Sequence, residues 1–382
     1  MNSADGRERL RRARRIVVKV GSAVFFQRDH RVDRPAFASL VEGLDELIRD
    51  ERAVFLVSSG AVAMGRQWLG SVEGASRDIP RLQALAAMGQ SRLMEMYEAE
   101  FSHYERKVAQ VLFSRDDLSD RRRYLNARRT LQRLEEFGAV AVINENDTVA
   151  TEELRFGDND ELAAMTAGLV GADALILLSD VDGLRKVSTN SDGGREYGDK
   201  IDAIAVDDER IDRWAGPSDS SVGTGGMISK VRAARLAARS GVVTVIAPGK
   251  RPGVLSQISA GESVGTVFEP GDESVVAGRK VWLGGGAMAR GKIVCDEGAR
   301  RAVRKKGASL LPSGIVSVDG DFDEGEVVEL VDQKGRVFGR GLAVYSAEEL
   351  RAIAGKQSSV IEDELGYKLL DEAVHRDNLL VL

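Results

Sequence analysis

The stretch Ile16-Val17-Val18-Lys19-Val20-Gly21-Ser22 decides the fold, because it joins an apolar strand to a polar turn. A continuous run of β-branched residues is typical of a strand that is buried on both faces of a sheet. Lys19 interrupts this run two residues before Gly21. A lysine inside a buried strand is costly unless an anion or a carboxylate pairs with it. A lysine at the mouth of a strand can also reach water, so both interpretations of Lys19 are open at this point.

Similar apolar runs recur through the first two thirds of the chain. They are Val54-Val57, Val140-Ile143, Ala174-Leu178, Val242-Ile246 and, more weakly, Val108-Leu112. Helical patterns lie between them, over residues 82–101, over 125–137 with Asp120 as the cap, and from Met227 to Ser240. Strands that alternate with helices predict an open, mostly parallel α/β sheet with helices on both faces.

The pattern changes near residue 270, where Glu269-Pro270-Gly271-Asp272-Glu273 is typical of a linker. Beyond it, short strands are predicted over Ile315-Val318, Val327-Leu330 and Val337-Leu342, separated by Gly and Asp turns. We therefore predict two domains, an α/β domain over residues 1–270 and a small β-rich domain over residues 278–382.

Composition narrows the class of protein. The chain has 382 residues and a formal net charge of -6, which argues against bulk electrostatic capture of nucleic acid. No apolar run approaches the ~20 residues that span a bilayer, and the single Cys295 fits a reducing compartment, so a cytoplasmic location is expected. The arginine-rich segment 1–15 is predicted to be a solvated lead-in rather than a nucleic-acid-binding arm.

Polar residues cluster where four of the predicted strands end. The clusters are Lys19-Val20-Gly21-Ser22, Ser58-Ser59-Gly60-Ala61, Asn144-Glu145-Asn146-Asp147 and Ser179-Asp180-Val181-Asp182-Gly183. Ligands of open parallel α/β sheets bind outside the carboxyl ends of the strands. One such cluster is an ordinary loop, whereas four on one edge predict a binding site.

Two further motifs carry charge or phosphate chemistry. The run Val222-Gly223-Thr224-Gly225-Gly226-Met227, followed by Ile228-Ser229-Lys230, places glycines before a helix whose N-terminus favours an anion, although it is not a Walker A motif. The run Gly157-Asp158-Asn159-Asp160 holds more capping-type residues than one helix needs. Its acidic side chains could cap that helix, steer the two lysines, or bind an ammonium group.

The polar clusters contain no histidine that could act as a general base. This absence favours transfer of a phosphoryl group to an acceptor that needs no base. The three histidines, His30, His103 and His375, lie outside the clusters, and no spacing typical of zinc ligands occurs. A carboxylate acceptor is already ionised at neutral pH and needs no base. Its phosphorylation requires positive charge from lysines and Mg2+ and correct alignment of the reactants. The sequence supplies the lysines, and no metal-binding residues are predicted.

These motifs together resemble the amino-acid kinase superfamily. The runs Ile143-Asn144-Glu145-Asn146-Asp147 and Gly157-Asp158-Asn159-Asp160 resemble those of the glutamate 5-kinase family within it. The stretches Ser309-Leu310-Leu311-Pro312-Ser313-Gly314-Ile315 and Val374-His375-Arg376-Asp377-Asn378 resemble its C-terminal PUA domain. The resemblance covers roughly residues 14–380 and implies ATP-dependent phosphorylation of the γ-carboxylate of L-glutamate, the first step of proline biosynthesis.

The resemblance also implies roles for individual residues. Lys19 and Lys230 would stabilise the transferring phosphoryl group, and Asp160 would orient them. The residues implied in substrate binding are Ser59, Gly60, Asp147, Asp158 and Asn159. Those implied in ATP binding are Lys19, Gly21, Ser22, Ser179, Asp180, Thr224, Gly225, Gly226, Met227, Ile228, Ser229 and Lys230. Ala23 stands where the family often has a second Ser or Thr, and Ser229 where it often has Thr.

The implied ligands and partners are L-glutamate, ATP with Mg2+, proline as a feedback inhibitor, a second copy of the chain in a dimer or tetramer, and a glutamyl phosphate reductase. Residues 279–382 carry 16 Lys and Arg against 17 Asp and Glu, so RNA binding by the PUA-like domain is not expected. Two alternatives are a kinase for aspartate or N-acetylglutamate and an RNA-associated accessory protein. Retention of both lysines and the acidic loop argues against the accessory protein.

Overall fold

The computed structural model of the protein describes residues 3–27, 31–70, 78–149, 159–189, 195–216, 226–271 and 289–382. The chain divides into two units, residues 1–275 and 276–382. Within the described ranges, no helix combines the length and the apolar character needed to cross a lipid bilayer. The predicted domain boundary, between residues 270 and 278, falls mostly outside the described residues, so the domain assignment stays a prediction.

A sheet forms the centre of the first unit, with eight strands among the described residues. In spatial order they are β3 (Lys107–Phe113), β4 (Ala139–Glu145), β2 (Ala53–Ser58), β1 (Arg15–Val20), β5 (Ala174–Ser179), β9 (Val243–Pro248), β10 (Thr266–Glu269) and β8 (Ala203–Ala205). All neighbouring pairs from β3 to β9 are parallel, and β10 runs antiparallel to β9. The predicted mostly parallel sheet is confirmed, and the weak run 108–112 is its edge strand.

Helices connect these strands. They are α1 (Ser3–Arg12), α2 (Ser22–Phe25), α3 (Arg34–Arg49), α4 (Ala61–Leu69), α5 (Ile79–Ser102), α6 (Arg115–Ser119), α7 (Arg121–Glu136), α8 (Asn159–Val170), α9 (Arg210–Ala215), α10 (Met227–Ala238) and α11 (Val254–Ser259). The long helix predicted over 82–101 is α5. Asp120 caps α7 as predicted, since its carboxylate accepts a hydrogen bond from the Arg123 backbone N–H at 2.9 Å.

Both faces of the sheet are covered by packed apolar side chains. Along β1, Val18 belongs to a core that includes Leu44 of α3 and Leu93 of α5. Val17 points to the other face, into a core that includes Leu162 of α8. Full burial of such a side chain stabilises the fold by about 1.5–3 kcal/mol. The two cores therefore pack against both faces of the sheet and hold in place the strand ends where the polar residues lie.

The N-terminal segment corrects the sequence prediction of a solvated lead-in. Residues 3–12 form helix α1, which buries Leu10 completely and leaves Arg7 only 7% exposed. The Arg7 guanidinium donates hydrogen bonds to the carbonyl oxygens of Glu262 (2.5 Å) and Val264 (2.9 Å) and pairs with Asp202 (3.0 Å). The partners of Arg7 are distant in the sequence. The arginine-rich composition of residues 1–15 therefore predicted exposure to solvent.

Two glycines bring the backbones of α4 and α5 into direct contact. A Cβ atom added to Gly65 would overlap the backbone of Leu85, and one added to Gly89 would overlap the carbonyl oxygen of Ala61. Only glycine fits at these two positions. The first turn of α4 is therefore held directly against the first half of α5.

The segment from Lys186 to Lys200 is polar and rich in Gly, Ser and Asp, yet it forms paired strands on both sides of residues 190–194. Strand β6 (Arg185–Thr189) pairs antiparallel with β7 (Arg195–Lys200). Residues 190–194 lie outside the described residues. Polar strands of this kind lack the apolar alternation on which sequence prediction depends.

The second unit has a sheet of its own, in the spatial order β12 (Ile315–Gly320), β11 (Gly291–Cys295), β13 (Val327–Asp332), β14 (Val337–Leu342) and β15 (Leu379–Val381). Its helices among the described residues are α12 (Glu297–Lys306), α13 (Ala347–Ile353) and α14 (Ile361–Leu365), with 3-10 turns at Pro312–Gly314, Ser358–Val360 and Arg376–Asn378. The three strands predicted after residue 310 are confirmed. On α12, Arg301 and Arg304 are exposed while Arg300 pairs with Glu297.

Candidate active site

The carboxyl ends of four parallel strands meet at one edge of the first sheet. Strands β4, β2, β1 and β5 are direct neighbours in that order. In register, Val20 of β1 lies opposite Ser58 of β2 on one side and Leu178 of β5 on the other. The polar residues that follow these strands therefore line a single edge, as the sequence predicts.

A buried cluster of three charges lies at this edge. Lys19 and Lys230 contact the two oxygens of the Asp160 carboxylate, with Nζ to Oδ1 at 2.6 Å and Nζ to Oδ2 at 3.1 Å. The two lysines are 6% and 5% exposed, and Asp160 is fully buried. Two cations against one anion leave a net positive charge in a setting of low dielectric. Such a cluster attracts an anionic ligand strongly.

Two helix starts position the members of this cluster. Asp160 lies in the first turn of α8 and Lys230 in the first turn of α10, while Lys19 comes from β1. Ser229 links the two helices, because its hydroxyl lies within hydrogen-bond distance of two acceptors, Asp160 Oδ2 at 3.1 Å and the carbonyl oxygen of Gly226 at 2.8 Å. The N-terminus of a helix carries free N–H groups and a positive dipole, which favour a phosphate near α10.

The Asp160 carboxyl stays ionised in this setting. Burial acts to raise its pKa, but the charges of Lys19 and Lys230 and their hydrogen bonds outweigh that effect. The pKa of Asp160 is therefore lower than its usual value. The carboxylate can hold both ammonium groups throughout the neutral pH range.

Asn159 lies beside the charged cluster and faces the ends of β2 and β4. The two N–H groups on its Nδ2 serve three acceptors within hydrogen-bond distance, the Ser58 carbonyl oxygen (2.9 Å), Ser59 Oγ (3.0 Å) and Asn144 Oδ1 (2.9 Å). The predicted substrate-binding residues Ser59 and Asn159 are thus brought together. Gly60 follows directly with a φ of 111°, a left-handed conformation that glycine adopts readily, and it begins α4.

The other predicted residues fall as follows. Asp147 is half-buried in the turn after β4, and Ser179 Oγ donates to Asp180 Oδ1 at 2.9 Å after β5. Gly21 lies close to the Lys19 ammonium, since a Cβ atom there would be 3.8 Å from Nζ. Ser22 is the first residue of α2, and Gly226 to Lys230 form the start of α10. Asp158, Thr224 and Gly225 lie outside the described residues.

Two buried polar residues of this region were missed by sequence reasoning. Gln90 Oε1 accepts a hydrogen bond from Asn144 Nδ2 at 2.9 Å, and Tyr97 OH lies 2.8 Å from Ser58 Oγ. Burial raises the pKa of Tyr97, so it stays a neutral phenol. Gln90 and Tyr97 are seven residues apart, two turns along α5, and two polar groups on one apolar helix face were the available signal.

Mg2+ is the metal that a phosphoryl-transfer site of this kind implies. In the part of the chain that the structure describes, no three His, Cys, Asp or Glu side chains are grouped to hold a metal ion. Asp160, the central carboxylate, is already engaged by two lysines. The described residues therefore do not fit a metal held by the protein alone, whereas Mg2+ at such sites is often bound mainly by phosphates and water.

Comparison with known proteins identifies the family. Residues 14–247 match the amino acid kinase family, and residues 291–365 match the PUA domain. A glutamate 5-kinase from Syntrophotalea carbinolica is 50% identical over 97% of this chain and 98% of the relative. The chain belongs to the glutamate 5-kinase family. A second family member, from Myxococcus xanthus, is 49% identical over 99% of both chains.

Family membership makes the chain a kinase, and kinases of this family use ATP as co-substrate. Among solved structures, the UMP kinase from Bacillus anthracis matches with a TM-score of 0.45 and 14% identity, covering 68% of this chain and 96% of that one. That likeness is too weak to support any argument. The glutamate 5-kinase relatives, by contrast, extend through both units of the chain.

Proposed function

We propose that the chain transfers the γ-phosphoryl group of ATP to the γ-carboxylate of L-glutamate, giving L-glutamyl 5-phosphate and ADP in proline biosynthesis. The observation that carries the proposal is the buried cluster of Lys19, Asp160 and Lys230 at the carboxyl edge of the sheet. The net positive charge of this cluster suits the phosphate tail of a nucleotide. The membership of the chain in the glutamate 5-kinase family indicates the substrate.

The two lysines are proposed to stabilise the charge on the transferring phosphoryl group. The Lys19 ammonium carries three N–H donors, and Asp160 is its one partner in the described part of the chain. Because both ammonium groups are fixed by one carboxylate, they need little reorganisation when charge develops between the attacking and leaving oxygens. Preorganised charges of this kind are among the largest contributors to catalysis. Asp160 is thus a positioning residue in this proposal.

The acceptor needs no general base. A glutamate side chain has an ordinary pKa of about 4.3 and is ionised at neutral pH, so its oxygen can attack phosphorus directly. The bond between γ-phosphorus and the bridging oxygen breaks as the new carboxyl–phosphorus bond forms, and ADP departs with the electron pair. What the protein must supply is alignment and charge stabilisation.

Substrate binding is assigned to the group around Ser59 and Asn159. The hydroxyl of Ser59 and the backbone at Gly60 are proposed to hold the α-carboxylate, with Asp147 and Asn159 binding the α-amino group. Asp158 is assigned to the same substrate site. The amide nitrogen of Asn159 is already bonded to Ser58, Ser59 and Asn144, which leaves its carbonyl oxygen as the acceptor for an ammonium group.

Nucleotide binding is assigned to the strand ends and helix start on the other side of Lys19. The proposed residues are Gly21, Ser22, Ser179, Asp180, Thr224, Gly225, Gly226, Met227, Ile228 and Ser229, together with the two lysines. The position of Gly226 before α10 supports this assignment, because free backbone N–H groups at a helix start bind phosphate well. Mg2+ is proposed to arrive with the nucleotide, bound mainly by its phosphates.

Further parts of the proposal rest on family membership alone. They are feedback inhibition by proline at or near the glutamate site, assembly into a dimer or tetramer, delivery of the product to a glutamyl phosphate reductase, and a cytoplasmic location. For the PUA domain, we propose a role in regulation or assembly rather than in RNA binding. The nearly balanced charge of residues 279–382 supports this choice.

Release of ADP with a panel of amino acids tests the function. We expect turnover with L-glutamate, little with aspartate and none with N-acetylglutamate, because the Asn159 oxygen suits a free ammonium group. Turnover that prefers N-acetylglutamate would contradict the proposal. Absence of turnover with every acid, together with salt-sensitive RNA retention by the full chain, would favour the accessory protein instead.

A further inference from the structure

Gln90 stands out as an amide in an apolar environment. It lies on α5, is 8% exposed, and shares its region of the helix with the fully buried Leu93. A leucine or methionine would fill a similar volume without removing an amide from water. Packing alone therefore gives no reason for glutamine at this position.

The side chain of Gln90 begins a chain of three amides that leads from the core to the site. Gln90 Oε1 accepts from Asn144 Nδ2 at 2.9 Å. Asn144 Oδ1 in turn accepts from Asn159 Nδ2 at 2.9 Å and from the Glu145 backbone N–H at 2.9 Å. The oxygens of Gln90 and Asn144 each accept from the nitrogen of the next amide, so the nitrogen of Asn159 faces Asn144.

The consequence for Asn159 is that one end of its amide is committed and the other is available. Its nitrogen serves Ser58, Ser59 and Asn144, while its Oδ1 forms no hydrogen bond with any described residue. A carbonyl oxygen accepts hydrogen bonds only. It therefore favours an ammonium group over a carboxylate.

The presence of Gln90 in the core lowers the stability of the protein, and the fold does not require it. Gln90 Nε2 is buried and has no hydrogen-bond partner within the described part of the chain. An unsatisfied buried donor destabilises a protein. Replacing Gln90 by methionine removes this unpaired donor but leaves Asn144 Nδ2 without its acceptor. The number of unpaired buried amide nitrogens stays the same, and stability should change little.

We propose that Gln90 is a positioning residue for substrate recognition. It holds Asn144, and through Asn144 it keeps the Asn159 carbonyl oxygen directed at the α-ammonium group of the substrate. The inference rests on the proposed function, because it assigns that oxygen to the ammonium group of glutamate. Beyond the proposed function, the inference makes recognition of the amino group depend on Gln90, a buried residue of α5.

The test compares Gln90→Met and Gln90→Glu with the wild-type chain. Gln132→Met, the same change at an exposed position of α7, is the matched control. For each protein, the KM for L-glutamate, the KM for ATP, the thermal midpoint and the inhibition constant of glutarate are measured. Glutarate is the same five-carbon dicarboxylate without the amino group.

We expect Gln90→Met to raise the KM for L-glutamate about tenfold, with the KM for ATP and the inhibition constant of glutarate within about twofold of wild type. Gln90→Glu retains an oxygen that can accept from Asn144 and should keep the KM within about threefold. Gln132→Met should behave as wild type.

Two results would overturn the inference. One is an unchanged KM for L-glutamate in Gln90→Met, and the other is a parallel loss of affinity for glutamate and glutarate, which indicates general damage to the site. The proposed function would survive either result. If the wild-type chain shows no turnover with glutamate, the proposed function fails and this inference fails with it.

Discussion

Lys19 and Arg7 are two buried cations on neighbouring elements of one chain, and they differ in what their donors do. Both terminal nitrogens of the Arg7 guanidinium are bonded to the protein, one to the carbonyl oxygens of Glu262 and Val264 and the other to Asp202. The Lys19 ammonium has Asp160 as its one partner in the described part of the chain. A buried cation with donors to spare, at the edge where strands end, is suited to a ligand. A buried cation whose terminal nitrogens are held by several groups of the protein belongs to the fold.

The largest expected effect is that of Lys19→Ala on turnover. Loss of one of two preorganised charges should lower kcat by at least about 100-fold, as measured by ADP release under saturating substrates. Lys230 still neutralises Asp160 in this variant, so the protein should fold. Lys107→Ala, which removes an exposed lysine at the start of β3, is the control and should leave kcat unchanged.

Lys19→Ala also gives the clearest way to break the comparison between the two cations. A variant with near wild-type kcat would remove Lys19 from the mechanism. The net positive charge of the cluster would then be a feature of stability alone, as we infer for Arg7.

An intermediate effect is expected for Arg7→Met, and on stability instead of turnover. This change leaves several buried carbonyl oxygens without their donor, so the thermal midpoint should fall by about 5–10 °C. The kcat per folded molecule should stay within about twofold of wild type. Arg12→Ala removes an exposed arginine that pairs with Glu8 and should shift the midpoint very little.

The outcome that would contradict this assignment of Arg7 is a loss of kcat at a temperature where the variant is fully folded. Circular dichroism melts and ADP release on the same preparation separate the two quantities. Such a loss would mean that α1 influences the site and is more than a structural support.

The smallest effect is expected for Ser229. It tests how much the Ser229 hydroxyl contributes to the position of Asp160. Ser229→Ala deletes one of the hydrogen bonds to Asp160 Oδ2 but leaves both lysines in place. We expect kcat to fall about threefold to tenfold. Ser229→Thr keeps the hydroxyl and should remain close to wild type. Equal activity of the two variants would show that the hydroxyl is dispensable.

Sequence reasoning succeeded where a short stretch holds polar or charged residues that its secondary structure alone does not explain. The continuous apolar run of β1 predicted a buried strand. The sequence left open whether Lys19 inside it reaches water or pairs with an anion, and the structure pairs it with Asp160. The run Asp158-Asn159-Asp160 contained more capping residues than one helix uses. Asn159 and Asp160 are both drawn into polar contacts at the strand ends.

It failed where the partner is distant and the residue looks ordinary. Arg7 contacts residues more than 250 positions away, and nothing near it in the sequence announces a buried environment. Gln90 was missed because glutamine is acceptable on any helix surface. Only the position of α5 against the sheet shows that this face is buried. Both cases need the tertiary structure, since pairing across long separations leaves no local pattern.

The backbone contact between α4 and α5 has a consequence for selectivity by length. Where Gly65 and Gly89 meet the facing helix, backbone contacts backbone, so no side-chain rotamer there can adjust the spacing of α4 and α5. The turn at Gly60 and the amide of Gln90 are therefore set apart by a rigid spacer. If Gly60 binds the substrate as proposed, a fixed spacing of this kind would neither close around a shorter acid nor widen for a longer one, and discrimination between homologous dicarboxylates would become a property of the scaffold itself.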